Sequence, residues 1–378
     1  MTMRHPFHSI CPYFAMFPEQ FVEQQLLTYT TPGDIVFDPF CGRGTTVFES
    51  LLKGRPAAGS DLNPVATCIA SAKAAAPPFS QIIKRIDQLE EQFRSEHKFF
   101  APPTPFFEAC FHPDTLSEIM FLRCALEWKK DAVDCFVAAI MLGIIHGESH
   151  RSEYCLSNRM PRTISTKPDY SIKWWSERNL TAPRRETFEV LRKSATFRYR
   201  LPPAQLVGVI RQSDARQSGA SFPELNGKVR LVVTSPPYLD TTDYSEDQWL
   251  RLWFLGGEPR PELRKNRDDR HTKIIEYWEF IMEAWSGLAP LLADESVIVV
   301  RIGGAKLTKE DLLAGVTDTL AAAMPDRYFE PLHTGVTSTI RRRETSAFRP
   351  APPRASVEHD FAYRLTRQPK KPLKRRVV

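Results

Sequence analysis

Hydrophobic and polar positions repeat with two different periods along this chain. The run Asp34-Ile35-Val36-Phe37 reads as a short apolar strand. Gly42 to Gly44 then turn the chain into an amphipathic helix carrying Val47, Phe48, Leu51 and Leu52, with Gly54 as its C-cap. A second strand, Ala57-Ala58-Gly59-Ser60, leads to Asp61, after which Asn63 as N-cap and Pro64 at the first helical position start another helix. That helix stops at Pro77-Pro78. Strand, helix, strand, helix at this spacing predicts the start of a doubly wound α/β sheet.

From Phe79 to Arg200 helical periodicity takes over and strand signals become scarce, which predicts an inserted, mainly helical domain. Within it Ala132 to Ile145 is apolar nearly all round, too short for a membrane span, and reads as a buried core helix. The stretch from His150 to Asn179 mixes basic and aromatic residues, a composition that can grip nucleic acid. Alternation resumes in Leu206-Val207-Gly208-Val209-Ile210 and in Val229 to Thr234. Ser245-Glu246-Asp247-Gln248 has capping-box form and opens a helix with Trp249, Leu252 and Trp253, ending near Gly256-Gly257. A helix running to Pro290, the strand Ser296 to Ile302, and a helix from about Thr308 to Ala322 follow. Two β-like runs, Tyr328 to Val336 and Phe361 to Leu365, fit a closing antiparallel hairpin. The expected organisation is therefore a catalytic domain in two parts, 1–78 and 201–367, interrupted by a helical insertion, 79–200, and followed by a basic, disordered tail, 368–378.

Composition narrows the class. The 378 residues are 42% hydrophobic and 25% charged, enough apolar material for a large core. The segment Met1-Thr2-Met3-Arg4-His5-Pro6 lacks the apolar stretch of a signal peptide and no run is long enough to span a membrane, so a cytoplasmic protein without a membrane partner is expected. Seven cysteines without a Cys-x-x-Cys pair encode neither a disulfide framework nor a zinc ribbon. The net charge of +6 is modest, but basic residues cluster in Arg341-Arg342-Arg343, in the tail from Lys370 to Arg376 and across Arg151 to Arg200, which suits a polyanionic partner.

Two constellations carry candidate chemistry. Asp38-Pro39-Phe40-Cys41-Gly42-Arg43-Gly44-Thr45-Thr46 is a glycine turn between strand and helix, where backbone approaches a ligand closely and amides point outward. It lacks the third glycine of a dinucleotide fingerprint, which disfavours a nicotinamide enzyme. Asp61, ending the next strand, suits the ribose hydroxyls of an adenosine cofactor. The second constellation, Thr234-Ser235-Pro236-Pro237-Tyr238, directly follows an apolar strand, so two prolines preset an extended loop at the sheet's carboxyl edge. In an arbitrary protein this would be read as a rigid turn; here it follows a glycine loop in an α/β sheet.

These motifs resemble those of the amino-methylating DNA methyltransferases, which methylate cytosine N4 or adenine N6. The cofactor motif of that family is similar to Asp38, Pro39, Phe40, Gly42, Gly44 and Thr45, and its catalytic motif resembles Ser235, Pro236, Pro237 and Tyr238. The segment from Phe17 and Pro18 to Val22 is similar to the helix that contacts the methionine end of the cofactor, and Asp61 and Asp214 match positions at the ribose and near the adenine. The resemblance covers residues 10–76 and 205–365 and implies a Rossmann-like class I methyltransferase sheet, mostly parallel with a C-terminal antiparallel hairpin. It implies S-adenosyl-L-methionine as cofactor, double-stranded DNA as partner, and a base flipped from the stack whose amino nitrogen takes the methyl group directly. Ser235 Oγ and the Pro236 carbonyl would accept from the amino group, and Tyr238 would stack on the flipped ring. A serine at the first motif position usually accompanies cytosine N4, an aspartate or asparagine adenine N6. The insertion is a candidate DNA-recognition region, and a cognate restriction endonuclease is a candidate partner; the resemblance leaves recognition sequence and oligomeric state open.

Other readings compete with this one. Cytosine C5 chemistry is set aside because the chain has no Pro-Cys dipeptide. An RNA base-amino methyltransferase and a non-catalytic DNA-binding protein on the same fold stay open as alternatives. His146-Gly147-Glu148-Ser149-His150 has zinc-compatible spacing, but the glutamate does not follow the first histidine as zincins require, so no metal is expected. Trp249 and Trp253 read as core or as an adenine-pocket wall, and Cys41 is given no nucleophilic role.

Overall fold

Each early strand is short, apolar and followed by a helix that returns the chain to the same end of the sheet, so the first strands must lie parallel. The computed structural model describes residues 4–13, 18–96, 100–147, 154–159, 167–239, 244–261, 273–304, 306–333, 335–339 and 357–368. Helix α1 (Glu19–Tyr29) precedes β1 (Ile35–Asp38), α2 (Thr45–Leu52), β2 (Ala57–Asp61) and α3 (Pro64–Ala74). Asn63 accepts the Val65 amide and Pro64 opens α3, as their positions in the sequence require. Gly54, at φ +77°, closes α2 with its amide on the Leu51 carbonyl.

Six helices follow before the sheet is re-entered: α4 (Phe79–Glu96), α5 (Pro105–Cys110), α6 (Pro113–Ala125), α7 (Ala132–Ile144), α8 (Pro168–Ser176) and α9 (Thr187–Arg198). They share one hydrophobic core with α2 and α3, built from residues such as Phe48, Cys68, Phe136, Leu191 and Trp249. Helix α7 is buried on nearly every side, and its one carboxylate, Asp134, is met by Arg85 at 2.7 Å. Trp249 and Trp253 pack against Phe106 and Phe107 and are core residues.

The chain returns in β3 (Val209–Gln212), a short α10 (Ser218–Ser221) and β4 (Val229–Thr234). The strand expected from Leu206 begins only at Val209. Gly208 presses against β2, where a Cβ would sit 2.9 Å from the Ala57 carbonyl, while Val207 before it is 73% exposed on the sheet's edge. Then come α11 (Tyr244–Phe254), α12 (Ile274–Leu288), β5 (Leu292–Gly303), α13 (Lys309–Ala323), β6 (Arg327–Pro331), β7 (Val336–Thr339) and β8 (Val357–Arg367). Thr308 and Asp311 form the capping box that starts α13.

The sheet order is β3-β2-β1-β4-β5-β8-β6, with β7 also on β8. Strands β3 to β5 along this order are parallel, and β8 runs antiparallel between β5 and β6. One face is filled by Phe21, Val47, Leu231 and Val299 beneath α1 and α2, the other by Phe37, Val232, Ile298 and Trp285 beneath α12 and α13. This is the mostly parallel α/β sheet with antiparallel closure that the alternation and the motifs imply. Phe17, the Ser245-Glu246-Asp247 part of the cap, the Glu148–His150 part of the histidine motif, the Arg341–Arg343 cluster and the 369–378 part of the basic tail lie outside the residues whose side chains are described.

Candidate active site at the sheet switch point

Sequential strands leave β1 in one direction through β2 to β3, and β4 and β5 continue in the other, so the order reverses between β1 and β4. In open α/β sheets ligands bind outside the carboxyl ends of the strands at such a point, because the connecting loops diverge there. The glycine loop leaves the carboxyl end of β1 and the Ser235-Pro236-Pro237-Tyr238 loop leaves that of β4. Thr234 Oγ1 donates to Asp38 Oδ1 at 2.6 Å and ties the two loops together.

The backbone amides of the glycine loop find their partners within the loop and at the end of β2. Gly44 N reaches the Cys41 carbonyl at 2.7 Å, Cys41 N the Ser60 carbonyl at 2.9 Å, and Gly42 N the Asp61 Oδ2 at 2.9 Å. Gly44 has φ +71°, and a Cβ on it would lie 2.8 Å from the Ala70 Cβ, so only glycine fits. No side chain caps α2, whose first amides point toward the switch point. Asp38 is fully buried, and its Oδ2 has no hydrogen-bond partner among the described residues. Burial pushes its carboxyl up to about 7 against the pull of Thr234, Thr46 and the Phe40 amide. Burial likewise raises Asp61 to about 6, opposed by the amides of Asn63, Gly42 and Leu62. A buried carboxylate oxygen without a partner, outward amides and an aspartate at the next strand end fit a cofactor that brings an ammonium, a carboxylate and ribose hydroxyls. Burial, then the charges of Asp61 and Asp38, hold the Cys41 thiol well above its usual range, so it is a neutral filler.

Behind this loop lies a charged cluster that the sequence did not disclose. Lys73, 1% exposed, donates to the Arg43 carbonyl at 2.6 Å, and the Arg43 guanidinium reaches the His8 carbonyl at 2.5 Å and Glu19 at 3.6 Å. His8 Nε2 meets Glu49 at 2.6 Å; burial raises Glu49 to about 7 and depresses both His8 and Lys73. The cluster braces the 3₁₀ turn at Pro6–Ser9 and the start of α1 against the back of the loop.

The second loop is held by other parts of the fold. Tyr277 of α12 donates to the Pro237 carbonyl at 2.9 Å. Ser235 is half-buried, and its hydroxyl points to the Tyr238 hydroxyl at 3.4 Å. Tyr238 is 7% exposed and donates to Glu358 of β8 at 2.7 Å. The stacking surface expected of Tyr238 is thus turned inward in this conformation. Beside Glu358, Arg301 of β5 makes a bidentate pair with Asp360 at 2.7 and 2.8 Å, and its guanidinium lies 3.8 Å from the Phe21 ring centroid.

Among the remaining expected residues, Pro18 is the N-cap of α1, Phe40 packs near Phe280, and Thr45 is the first residue of α2. Pro39 offers its carbonyl to Ser60, and Asp214 caps a 3₁₀ turn beyond β3 with its carboxylate held by Arg216 at 2.6 Å. His146 is buried against Ser157 at 3.0 Å, and no group of three metal-ligating side chains occurs among the described residues. None of the seven cysteines, all among the described residues, forms a disulfide. Sequence reading missed Glu358, Arg301 and Asp360, although Arg301, set among Val299, Val300 and Ile302, was a usable signal.

Residues 4–71, which contain the N-terminal turn, α1, the glycine loop and Asp61, match the N6/N4 methylase family, described as DNA methylase. The chain is 43% identical over 49 residues to the orphan methyltransferase M.BamHII of Bacillus amyloliquefaciens, covering 13% of this chain and 18% of that protein. It is 39% identical over 66 residues to the type II methyltransferase M.MjaII of Methanocaldococcus jannaschii, covering 18% and 12%. The matches thus span less than a fifth of either relative's length. The rRNA methyltransferase aviRa from Streptomyces viridochromogenes superposes over 96% of this chain and 94% of its own at a TM-score of 0.36 and 13% identity. The family match supports the amino-methyltransferase family and, with it, S-adenosyl-L-methionine as cofactor. The Ser235–Tyr238 loop lies outside the matched residues. No helix among the described residues is long and apolar enough to cross a membrane.

Proposed function

We propose that this chain is an S-adenosyl-L-methionine-dependent DNA methyltransferase acting on the exocyclic amino group of a flipped base, cytosine N4 first and adenine N6 as the alternative. The observation that carries the reading is the Thr234–Asp38 bond, which sets the cofactor loop and the Ser-Pro-Pro-Tyr loop side by side at the switch point. When bound, the cofactor supplies an electrophilic methyl group.

Asp38, Gly42, Gly44 and Thr45 would hold the methionine end and Asp61 the ribose; Pro39 and Phe40 would shape the loop and Asp214 would serve the adenine, while Pro18, and by resemblance alone Phe17, would add contacts to the methionine end. An exocyclic amine is a poor nucleophile because its lone pair is delocalised into the ring. Acceptors that take its N–H bonds draw the nitrogen toward pyramidal geometry and free that pair. Ser235 Oγ and the Pro236 carbonyl are the acceptors, and Pro237 keeps them oriented through Tyr277. Tyr238 acts either as a ring that turns outward to stack on the base or as a hydroxyl behind Ser235. Helices α4 to α9 form the candidate DNA-recognition region, and a cognate endonuclease is a candidate partner.

The test is mass spectrometry of nucleosides from genomic DNA of cells expressing the wild type or Ser235→Ala. A wild-type-only N4-methylcytosine peak is the expected result. N6-methyladenine keeps the chemistry and changes the base, and the absence of both sinks the reading.

A further inference from the structure

Glu358 and Arg301 face the back of the Ser-Pro-Pro-Tyr loop from the paired strands β8 and β5. Arg301 interrupts Val299-Val300-Arg301-Ile302, and Glu358 and Asp360 precede Phe361-Ala362-Tyr363. Buried ion pairs add little net stability compared with well-packed apolar residues, so a charged group placed here calls for another account. Tyr238 is seated for the contact: Gly303 leaves room for its ring, since a Cβ there would lie 3.2 Å from Tyr238 Cε2.

We infer that Glu358 is a positioning residue for methyl acceptance, ordering the line of hydroxyls from Ser235 through Tyr238 so that Ser235 faces the amino group as an acceptor and the departing proton has an exit. The inference rests on the proposed role of Ser235. Its basis is the direction of the hydrogen bonds. A carboxylate only accepts, so the Tyr238 hydroxyl must donate to Glu358 at 2.7 Å. The Tyr238 oxygen then accepts from Ser235 at 3.4 Å, a long contact of the kind that tightens when substrate binds. With its own proton directed to Tyr238, Ser235 presents lone pairs to the substrate. Burial and the Glu358 charge keep the phenol protonated, which preserves this direction. Arg301 commits both nitrogens of its fork to Asp360 and stands 3.8 Å from Glu358, a looser contact that balances the charge without taking both carboxylate oxygens.

As the N–C bond forms, the C–S bond of the methyl donor breaks and its electron pair stays on sulfur, leaving a neutral thioether and a methylated amino group with one proton too many. That proton passes to Ser235 Oγ, the Ser235 proton to Tyr238, and the Tyr238 proton to Glu358, which becomes a neutral acid until water removes it. Tyr238 and Ser235 end as they began.

The experiment uses the full chain, unmethylated genomic DNA and radiolabelled S-adenosylmethionine. Glu358→Gln and Tyr238→Phe should each lower kcat by roughly 10²-fold, the lower end of what positioned proton transfer contributes. The apparent KM for DNA and the calorimetric Kd for cofactor should stay within roughly twofold, as expected for a group acting only in the transition state. Glu358→Asp should recover part of the rate. In ligand-free protein labelled with ¹³C at tyrosine Cζ, the Tyr238 resonance, assigned by its loss in Tyr238→Phe, should move in Glu358→Gln. Wild-type kcat in Glu358→Gln, or a loss seen only in KM or cofactor affinity, overturns the inference while the proposed function stands. An unmoved Cζ resonance overturns the hydrogen-bond line itself. Wild type that methylates no DNA overturns the function, and the inference with it.

Discussion

The two loops at the switch point are neighbours, yet they are built in opposite ways. The glycine loop takes its shape from residues close in sequence: φ values at Gly42 and Gly44, a turn closed by Cys41, and Asp61 only 19 positions on. The Ser235–Tyr238 loop takes its shape from distant elements, Tyr277 at a separation of 40 and Glu358 at a separation of 120. The first is a rigid local cradle with little tolerance. The second is an assembled part whose hydroxyls can be retuned from the far side of the sheet.

The largest effect should come from forcing the cradle. Gly44→Val must hold a β-branched residue at φ +71° with its Cβ 2.8 Å from Ala70. The left-handed backbone costs about 1–2 kcal/mol and the overpacking about 1–3 more, so cofactor binding should vanish in calorimetry and Tm should fall. Gly42→Ala, whose Cβ meets nothing nearer than Tyr13 at 3.8 Å, should show the backbone cost alone. Equal loss in both would refute the distinction. Next in size is Ser235→Ala, which should slow transfer by roughly 10²-fold in a radiolabel assay and leave cofactor affinity intact. Lost affinity there would mean the two loops are not separable.

A pH series tests Asp38. With its folded pKa raised to about 7, ligand-free protein holds a proton there that the unfolded chain has already released. Asp61 and Glu49, raised to about 6 and about 7, act in the same sense. These groups therefore favour the folded state at acid pH, and their contribution is lost as pH rises from about 4 through 7. Cofactor binding runs the other way, because its ammonium needs the carboxylate. Affinity should weaken by up to about tenfold per pH unit below 7, and Asp38→Asn should flatten that slope in calorimetry. The smallest effect should follow Thr234→Val, which cuts the link between the loops at a cost of about 1 kcal/mol, a roughly fivefold fall in transfer rate. An unchanged rate would show that the loops keep their register without it.

Legibility in the sequence follows the same division. Asn63-Pro64, Gly54, Thr308 and the run Val229 to Thr234 are local signals, and each element appears where its chemistry puts it. The glycine cradle and Asp61 were readable for the same reason. Leu206 and Val207 misled because an apolar pair at a sheet edge has the strand pattern without a partner; only the close approach at Gly208 decides where pairing starts. The brace of Lys73, Arg43, His8, Glu49 and Glu19 joins four separate elements, and no period in the chain brings them together. Glu358 was hidden for the same reason, because its partner is set by the register Gly303 to Glu358 across an antiparallel pair.

That register has a consequence for synthesis. Strand β8 lies inside the sheet, between β5 and β6, although it is made after both. At ribosomal rates of about 5–20 residues per second, some 54 residues separate the end of β5 from the start of β8, a delay of roughly 3–10 s. During that interval the nascent chain carries the apolar run Val297 to Val300 as an open edge, the kind of surface that templates aggregation and recruits chaperones. A ribosome-stalled chain ending before Val357 should therefore be trapped by holdase chaperones and release them once β8 has emerged.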